Sequence, residues 1–356
     1  MTDISTNSIT NAIRERRDII TNKLCDFLPT DLAKLTSMYD YYLAGKVHML
    51  KGHRGGVWCI DVLPNGKIVS GSADCTIRIW DPETGNCEKI LHHSYRVRCI
   101  IILSNEYIIT GCSGCILRVW NLENDNSALI GVHNSIIICC AKISNDTVVS
   151  GSSCGEIKIW RLSYIDHKKE YIGGKLIKTF KNDDPVFSII HLHDKKIVSG
   201  DYAGQIKLWD YGQESNECIS TRYELGAVHS LISLSSGRAP LDGAELKTRE
   251  GQIIGAFYNE YSIKIINFIN GLSENLNVSY SCFDLLPDGR LIGCSSGKYI
   301  KICNINNNKK FNLIKNNFTS FNTHCCKVLT DGRVVFGLLD NCRDEKDEDY
   351  YLFLVT

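Results

Sequence analysis

The sequence has no apolar run approaching the ~18 residues that a membrane-crossing helix needs. Its start, Met1-Thr2-Asp3-Ile4-Ser5, continues polar, so it lacks the apolar core of a secretion signal. An excess of one charge is also missing. Lys and Arg number 40 against 40 Asp and Glu, so no overall field draws nucleic acid or anionic membrane toward the chain. There is no Gly-Lys-Ser/Thr phosphate loop and no His-Glu-x-x-His helix. These absences predict a cytoplasmic, monomeric, non-enzymatic protein with no cofactor, no nucleic-acid partner and no membrane contact. Thiols stay reduced in that compartment. The seventeen cysteines are odd in number, which argues against a fully paired disulfide framework. Cys112 and Cys115 have metal-ligand spacing, but no second pair follows at zinc-site distance, so no metal site is expected.

What is present is a repeat. Four tryptophans end similar strings: Thr76–Trp80, Ile116–Trp120, Glu156–Trp160 and Gln205–Trp209, spaced by 40, 40 and 49 residues. Upstream of each lies a second string, Ile68–Gly71, Ile108–Gly111, Val148–Gly151 and Ile197–Gly200. A third precedes it: Val57–Ile60, Val97–Ile100, Ile137–Cys140 and Val186–Ile189. Each string is short, β-branched and bounded by Gly, Asn, Asp or Ser, the pattern of successive strands joined by tight turns. A period near 40 residues indicates propeller blades or solenoid units. Three weaker copies follow, in which Ile266, Cys303 and Val355 take the tryptophan's place. One column holds Cys or Ser in all seven copies: Cys59, Cys99, Cys139, Ser188, Ser230, Cys282 and Cys325. These cysteines read as small core residues.

Gly52-His53, Ser70-Gly71-Ser72-Ala73-Asp74 and Trp80-Asp81 together resemble a complete WD repeat. The resemblance spans residues 46–356 and implies an all-β fold, a closed seven-bladed WD-type β-propeller. It also implies a fourth, outer strand per blade, with candidates at 86–91, 127–131, 175–180, 217–223, 274–278 and 311–315. The seventh blade has no such strand before Thr356. Residues 46–51 are the expected substitute, closing the ring against the C-terminal blade and removing its exposed edges. The family's intrablade hydrogen-bond network maps onto His53, Ser70, Asp74 and Trp80 in blade 1. Blade 2 supplies His93, Thr110 and Trp120 with Gly114 at the aspartate position, and blade 3 supplies His133, Ser150 and Trp160 with Cys154 there. Blade 4 keeps Trp209, and the network fades toward the C-terminus. The positions that surface at the channel entrance in the family correspond to Trp58, Arg98, Ile138, Phe187, His229, Ser281 and His324. A second set comprises Ala73, Ser113, Ser153 and Tyr202. Aromatic residues and Arg are enriched at binding hot spots, so Trp58, Arg98, Phe187 and Tyr202 are candidate contacts for protein or peptide partners.

Residues 1–44 read as a short α-helical extension, with Ile9, Ile13, Ile20, Leu24 and Phe27 near helical spacing and Pro29 as a break. Leu28-Pro29-Thr30-Asp31-Leu32 resembles the opening of an F-box. That resemblance implies a ubiquitin-ligase adaptor bound through residues 9–44, as the alternative to a plain interaction scaffold. Insertions at 163–174, 235–250 and 340–349 are expected as loops, where binding often resides. Arg78, Arg118, Lys158, Lys207, Lys264 and Lys301 recur once per blade at one register position, which spreads them around the circle and predicts solvated side chains, not a phosphate track.

Overall fold

The computed structural model describes residues 47–165, 170–192, 194–234, 252–257, 262–268, 271–276, 282–287, 289–294, 299–303, 310–315, 323–338 and 350–355, together with Val278, Tyr280 and Ile305. The expected helices and F-box-like motif of 1–44 lie outside the described residues, as do Ser281 and the insertions 235–250 and 340–349.

Twenty-eight strands form seven four-stranded antiparallel sheets, with no helix among the described residues. The chain begins with β1 (Val47–His53). Blade 1 is β2 (Val57–Val62), β3 (Ile68–Ser72), β4 (Thr76–Trp80) and β5 (Cys87–His92). Blade 2 is β6 (Val97–Ile102), β7 (Tyr107–Cys112), β8 (Ile116–Asn121) and β9 (Ser127–Val132). Blade 3 is β10 (Ile137–Lys142), β11 (Thr147–Ser152), β12 (Glu156–Ile165) and β13 (Glu170–Lys181). Blade 4 is β14 (Val186–His191), β15 (Lys196–Asp201), β16 (Gln205–Asp210) and β17 (Cys218–Tyr223). Blade 5 is β18 (Val228–Ser233), β19 (Gln252–Phe257), β20 (Ser262–Asn267) and the short β21 (Ser273–Asn275). Blade 6 is β22 (Cys282–Leu285), β23 (Leu291–Cys294), β24 (Tyr299–Cys303) and β25 (Lys310–Lys315). Blade 7 joins β26 (Thr323–Val328), β27 (Val334–Leu338) and β28 (Tyr350–Val355) to β1, which pairs antiparallel with β28 from Val47↔Val355 to His53↔Tyr350.

The first strands of the blades neighbour one another in sequence order, and β26 meets β2, so these strands wall a central channel. The core lies between blades. Leu63, Val69, Ile77 and Leu91 of blade 1 pack with Val97, Ile108 and Trp120 of blade 2. At the seam, Leu50, Leu352 and Leu354 of blade 7 pack with Val57, Ile68 and Trp80 of blade 1. Close approach is set by the small column of the second strand: a Cβ on Gly71 would sit 2.5 Å from Val97 Cγ1 and 2.7 Å from Cys59 Sγ. The pairing places Ala256 and Cys294 in that column for blades 5 and 6, opposite Ser230 and Cys282. Gly255 and Gly293 fall one residue earlier, opposite Leu231 and Phe283, where blades 1 to 4 carry Ser70, Thr110, Ser150 and Ser199.

The expected loop at 163–174 is corrected by the structure. β12 and β13 continue through it, with Ser163↔Gly173, Tyr164↔Tyr171 and Ile165↔Glu170 paired. Tyr171 packs against Tyr164 at 4.8 Å and against Tyr107 of blade 2 at 4.9 Å between ring centroids. These aromatic contacts make an extended hairpin more favourable than a loop.

Candidate functional site: the channel mouth

The blades that end in tryptophan share one buried hydrogen bond. The indole Nε1–H of Trp80, Trp120, Trp160 and Trp209 donates at 2.8 Å to the hydroxyl of Ser70, Thr110, Ser150 and Ser199 respectively. In blade 1 the chain continues inward. Ser70 Oγ lies 2.7 Å from His53 Nε2, and His53 Nδ1 lies 2.8 Å from Asp74 Oδ2. Burial holds the His53 imidazole below its ordinary value despite the carboxylate beside it. Burial would raise Asp74, but its hydrogen bonds with His53, Thr76 and the Arg54 amide outweigh that and hold it well below the usual carboxylate range. In blade 3, His133 Nε2 lies 2.7 Å from Ser150 Oγ, and Glu156, two residues past Cys154, supplies the carboxylate 3.5 Å from Nδ1. In blade 2, His93 Nε2 is buried with no hydrogen-bond partner. Burial lowers both His93 and His133 to about 4. A Cβ at Gly114 would meet the Tyr95 ring at 2.2 Å, so the aspartate's place is filled by an aromatic face. Blade 4 carries Asn182 at the histidine position, and its Nδ2 donates at 2.9 Å to Asp201 Oδ2, at the position that Ser72 holds in blade 1.

Sequence reasoning missed Glu156, Asn182, Asp201 and Tyr95. The available signals were Glu156 two positions past the aspartate column, Asn182 in the histidine column and Asp201 in the column of Ser72. Cys112 ends strand β7, fully buried, with its Sγ donating to Ile116 O at 3.4 Å, and Cys115 takes a left-handed turn conformation at φ 64°. Blades 3 and 4 place Gly155 and Gly204 at that turn position. Gly151-Ser152-Ser153-Cys154-Gly155 has the spacing of a nucleophile elbow. Here, however, it joins strand to strand, and Ser153 Oγ pairs with Ser135 Oγ at 2.5 Å. The recurrent basic residues are largely engaged within the ring: Lys158 with Glu156 at 3.1 Å, Lys207 with Asp183 at 3.0 Å, and Lys264 with Glu224 at 2.7 Å. Arg78 stacks on Trp80 at 5.9 Å, and Arg118 donates to Ser127 Oγ at 3.0 Å.

The candidate contact residues occupy one structural feature. In the first strand of every blade where the pairing is described across this point, the register skips one residue, so two residues oppose one. The skipped residues are Trp58, Arg98, Ile138, Phe187, His229 and His324. A β-bulge leaves its extra residue out of the ladder and re-aims its side chain. The side-chain contacts show where they point. His229 of blade 5 and His324 of blade 7 meet edge to face at 5.1 Å, skipping blade 6, a contact available only across the channel. The Arg98 guanidinium of blade 2 lies over the Trp58 ring of blade 1 at 3.8 Å. Burial, His229 and the Arg98 charge together lower His324 to about 3. Trp58, Arg98, His229 and His324 therefore gather at one side of the mouth. Phe187 meets Tyr202 edge to face at 5.7 Å on the blade 4 side, with Tyr202 62% exposed. Ile138 stands between the two groups in blade order, with no ring or charge contact.

A WD40 family model, "WD domain, G-beta repeat", matches residues 45–81, 85–121 and 174–210. Eukaryotic translation initiation factor 3 subunit I of Aspergillus niger is 50% identical over 40 residues, 11% of this chain and 12% of that protein. Cell division control protein 4 of Saccharomyces cerevisiae is 38% identical over 58 residues, 16% of this chain and 7% of that protein. The matches thus span only about an eighth or less of these relatives' lengths. The crystal structure of the WD40 β-propeller domain of Doa1 superposes with a TM-score of 0.65 at 17% identity, covering 86% of this chain and 95% of that one. The chain thus carries three WD40 repeats and folds as a seven-bladed β-propeller that superposes on a WD40 β-propeller domain.

Proposed function

We propose that the chain is a non-catalytic scaffold that holds a segment of a partner protein at the channel mouth. WD40 propellers are typically interaction scaffolds, and the observation carrying the finer reading is the set of six bulge residues. Six blades each re-aim one side chain out of the backbone ladder, and these bring together two aromatic residues, an Arg, an aliphatic and two imidazoles over one opening. Aromatic and Arg side chains dominate binding hot spots. Partners recovered with the full chain and identified by mass spectrometry should be retained less by Arg98→Ala and by Phe187→Ala, each weakening affinity by ~1–4 kcal/mol. Phe187 meets Tyr202 within its own blade, and Arg98 gives up only its stacking on the Trp58 ring of the neighbouring blade, so thermal stability should change little. Undiminished binding by both variants refutes the mouth as the site.

A second reading rests on Leu28-Pro29-Thr30-Asp31-Leu32, which lies outside the described residues. In it the propeller is the substrate-holding part of a ubiquitin-ligase complex in the cytoplasm, joined to an adaptor through residues 9–44. An adaptor–cullin complex that co-purifies with the full chain and disappears when residues 1–44 are removed supports that reading. Its absence from full-chain preparations refutes it.

A further inference from the structure

We infer that the channel mouth receives an anionic side chain, a carboxylate or a phosphate, from the partner segment, with Arg98 as its counter-ion. The inference rests on the mouth being the binding site and adds the chemistry of what binds there.

Arg98 is a partly buried cation. Its guanidinium stacks on Trp58 at 3.8 Å, its Nε is buried without a hydrogen-bond partner, and among the described residues it forms no ion pair. A guanidinium has five N–H donors, and a buried donor left unmade costs more than a made bond returns. The groups that act on it are Arg96, Cys59, Cys99 and, across the channel, His324 with His229 behind it. None of these described groups is an acid, and Arg96, exposed beside Val97 on the same strand edge, adds a second positive charge. Acids near the blades' ends are already engaged: Asp74 with His53, Glu156 with Lys158, Asp183 with Lys207 and Glu224 with Lys264. Among the described residues, then, Arg98 and Arg96 place positive charge on the rim with no carboxylate paired to either.

The same geometry argues against a basic ligand. The indole face of Trp58, the natural seat for a Lys or Arg side chain, is occupied by Arg98 itself. A second cation entering there would meet Arg98 and Arg96, neither of which is paired with a carboxylate among the described residues. An anion meets the opposite situation. It can accept bidentate, charge-assisted bonds from Arg98, which are shorter and stronger than neutral ones. The pair of imidazoles opposite can supply a further N–H. On the blade 4 side, Phe187 and the exposed Tyr202 offer an apolar shelf, so the fitting segment places a bulky apolar residue near the acidic one.

The test uses the immobilised full chain and four degenerate peptide libraries with a fixed central Glu, phosphoserine, Gln or Lys, each next to Leu. Captured peptides are quantified by mass spectrometry, and the tightest are measured by titration calorimetry. Wild type should retain the Glu library, the phosphoserine library or both about tenfold or more above Gln, as a charged hydrogen bond in place of a neutral one implies. The ratio of these two arms separates carboxylate from phosphate. Arg98→Gln should abolish the preference and Arg98→Lys should keep part of it, with both variants melting near wild type. Equal retention of Gln and Glu, enrichment of Lys, or an acidic preference that survives Arg98→Gln overturns the inference. Phe187→Ala separates that failure from failure of the site. If capture falls in Phe187→Ala but is indifferent to charge, the mouth stands and the anionic class falls. If no library is captured, or neither substitution changes capture, both fall.

Discussion

Ser70→Ala tests the buried network most directly, because the structure supplies matched controls elsewhere in the ring. Ser70 is fully buried and serves two partners: it accepts from Trp80 Nε1 at 2.8 Å and lies 2.7 Å from His53 Nε2. The pattern is consistent if His53 carries its proton on Nδ1, toward Asp74, and accepts from the serine on Nε2. Removing the hydroxyl leaves an indole N–H and an imidazole nitrogen unpaired at once. Each buried polar atom without a partner costs ~1–3 kcal/mol, so the substitution should cost about 2–5 kcal/mol. Ser150→Ala repeats the case in blade 3, where Trp160 and His133 are the two partners. Ser199→Ala removes the same atom in blade 4, where Trp209 is its side-chain partner and Asn182 bonds instead to Asp201, so its cost should be about 1–3 kcal/mol. The three variants differ from wild type by the same oxygen atom. Urea unfolding read by tryptophan fluorescence gives the ranking, valid if the slope of free energy against urea stays unchanged. Ser70→Ala and Ser150→Ala should lie together and below Ser199→Ala by about 1–3 kcal/mol. If Ser199→Ala costs as much as the other two, the histidine contributes nothing through the serine and the partner count is not what sets the energy.

Other perturbations follow from the same geometry. Trp80→Ala should cost ~3–5 kcal/mol and Cys303→Ala, at the equivalent fully buried position of blade 6, much less; equal losses in urea unfolding refute the equivalence. Desolvation keeps buried His53, His93 and His133 below 6.5, the latter two at about 4. The unfolded chain therefore binds these protons first, and the stability is complete above about pH 6.5 and lost as pH falls toward 4. Urea midpoints should decline through that window, less steeply in His93→Gln, and a flat profile refutes the assignment. Deleting residues 1–52 removes β1 with buried Leu50 and leaves β28 as an open edge, so aggregation or a clearly lower melting temperature should follow, whereas deleting 1–40 should be milder. Equal melting of the two truncations, with the longer one monomeric by light scattering, refutes closure through β1. Gly131→Ala would place a Cβ 2.1 Å from the buried Trp160 ring and should cost at least about 1–3 kcal/mol, and an unchanged urea midpoint refutes that contact.

The sequence alone determined the repeat and hence the ring. Strings such as Ile68–Gly71 and Thr76–Trp80 are legible because strand formation depends on local alternation, β-branching and turn residues, all written within about ten positions. The column of Trp80, Trp120, Trp160 and Trp209 was legible for the same reason, and its replacement by Ile266, Cys303 and Val355 matches the observed pairing with Ile253, Leu291 and Val334. The register within weaker copies was not. Gly255 and Gly293 look like the packing glycine of other blades, yet they occupy the serine's place, because only the neighbouring strand decides which residue faces which. The extended hairpin of β12 and β13 was hidden too, since its stability comes partly from Tyr107 in another blade. The same holds at the mouth. Register named Trp58, Arg98, Phe187, His229 and His324, but their associations join residues 40 and 95 positions apart through space. That Arg98 lies on Trp58, and that His229 meets His324 across blade 6, follows from the curvature and closure of the ring. Contacts of that kind are properties of curvature and blade number, which no local stretch of sequence encodes.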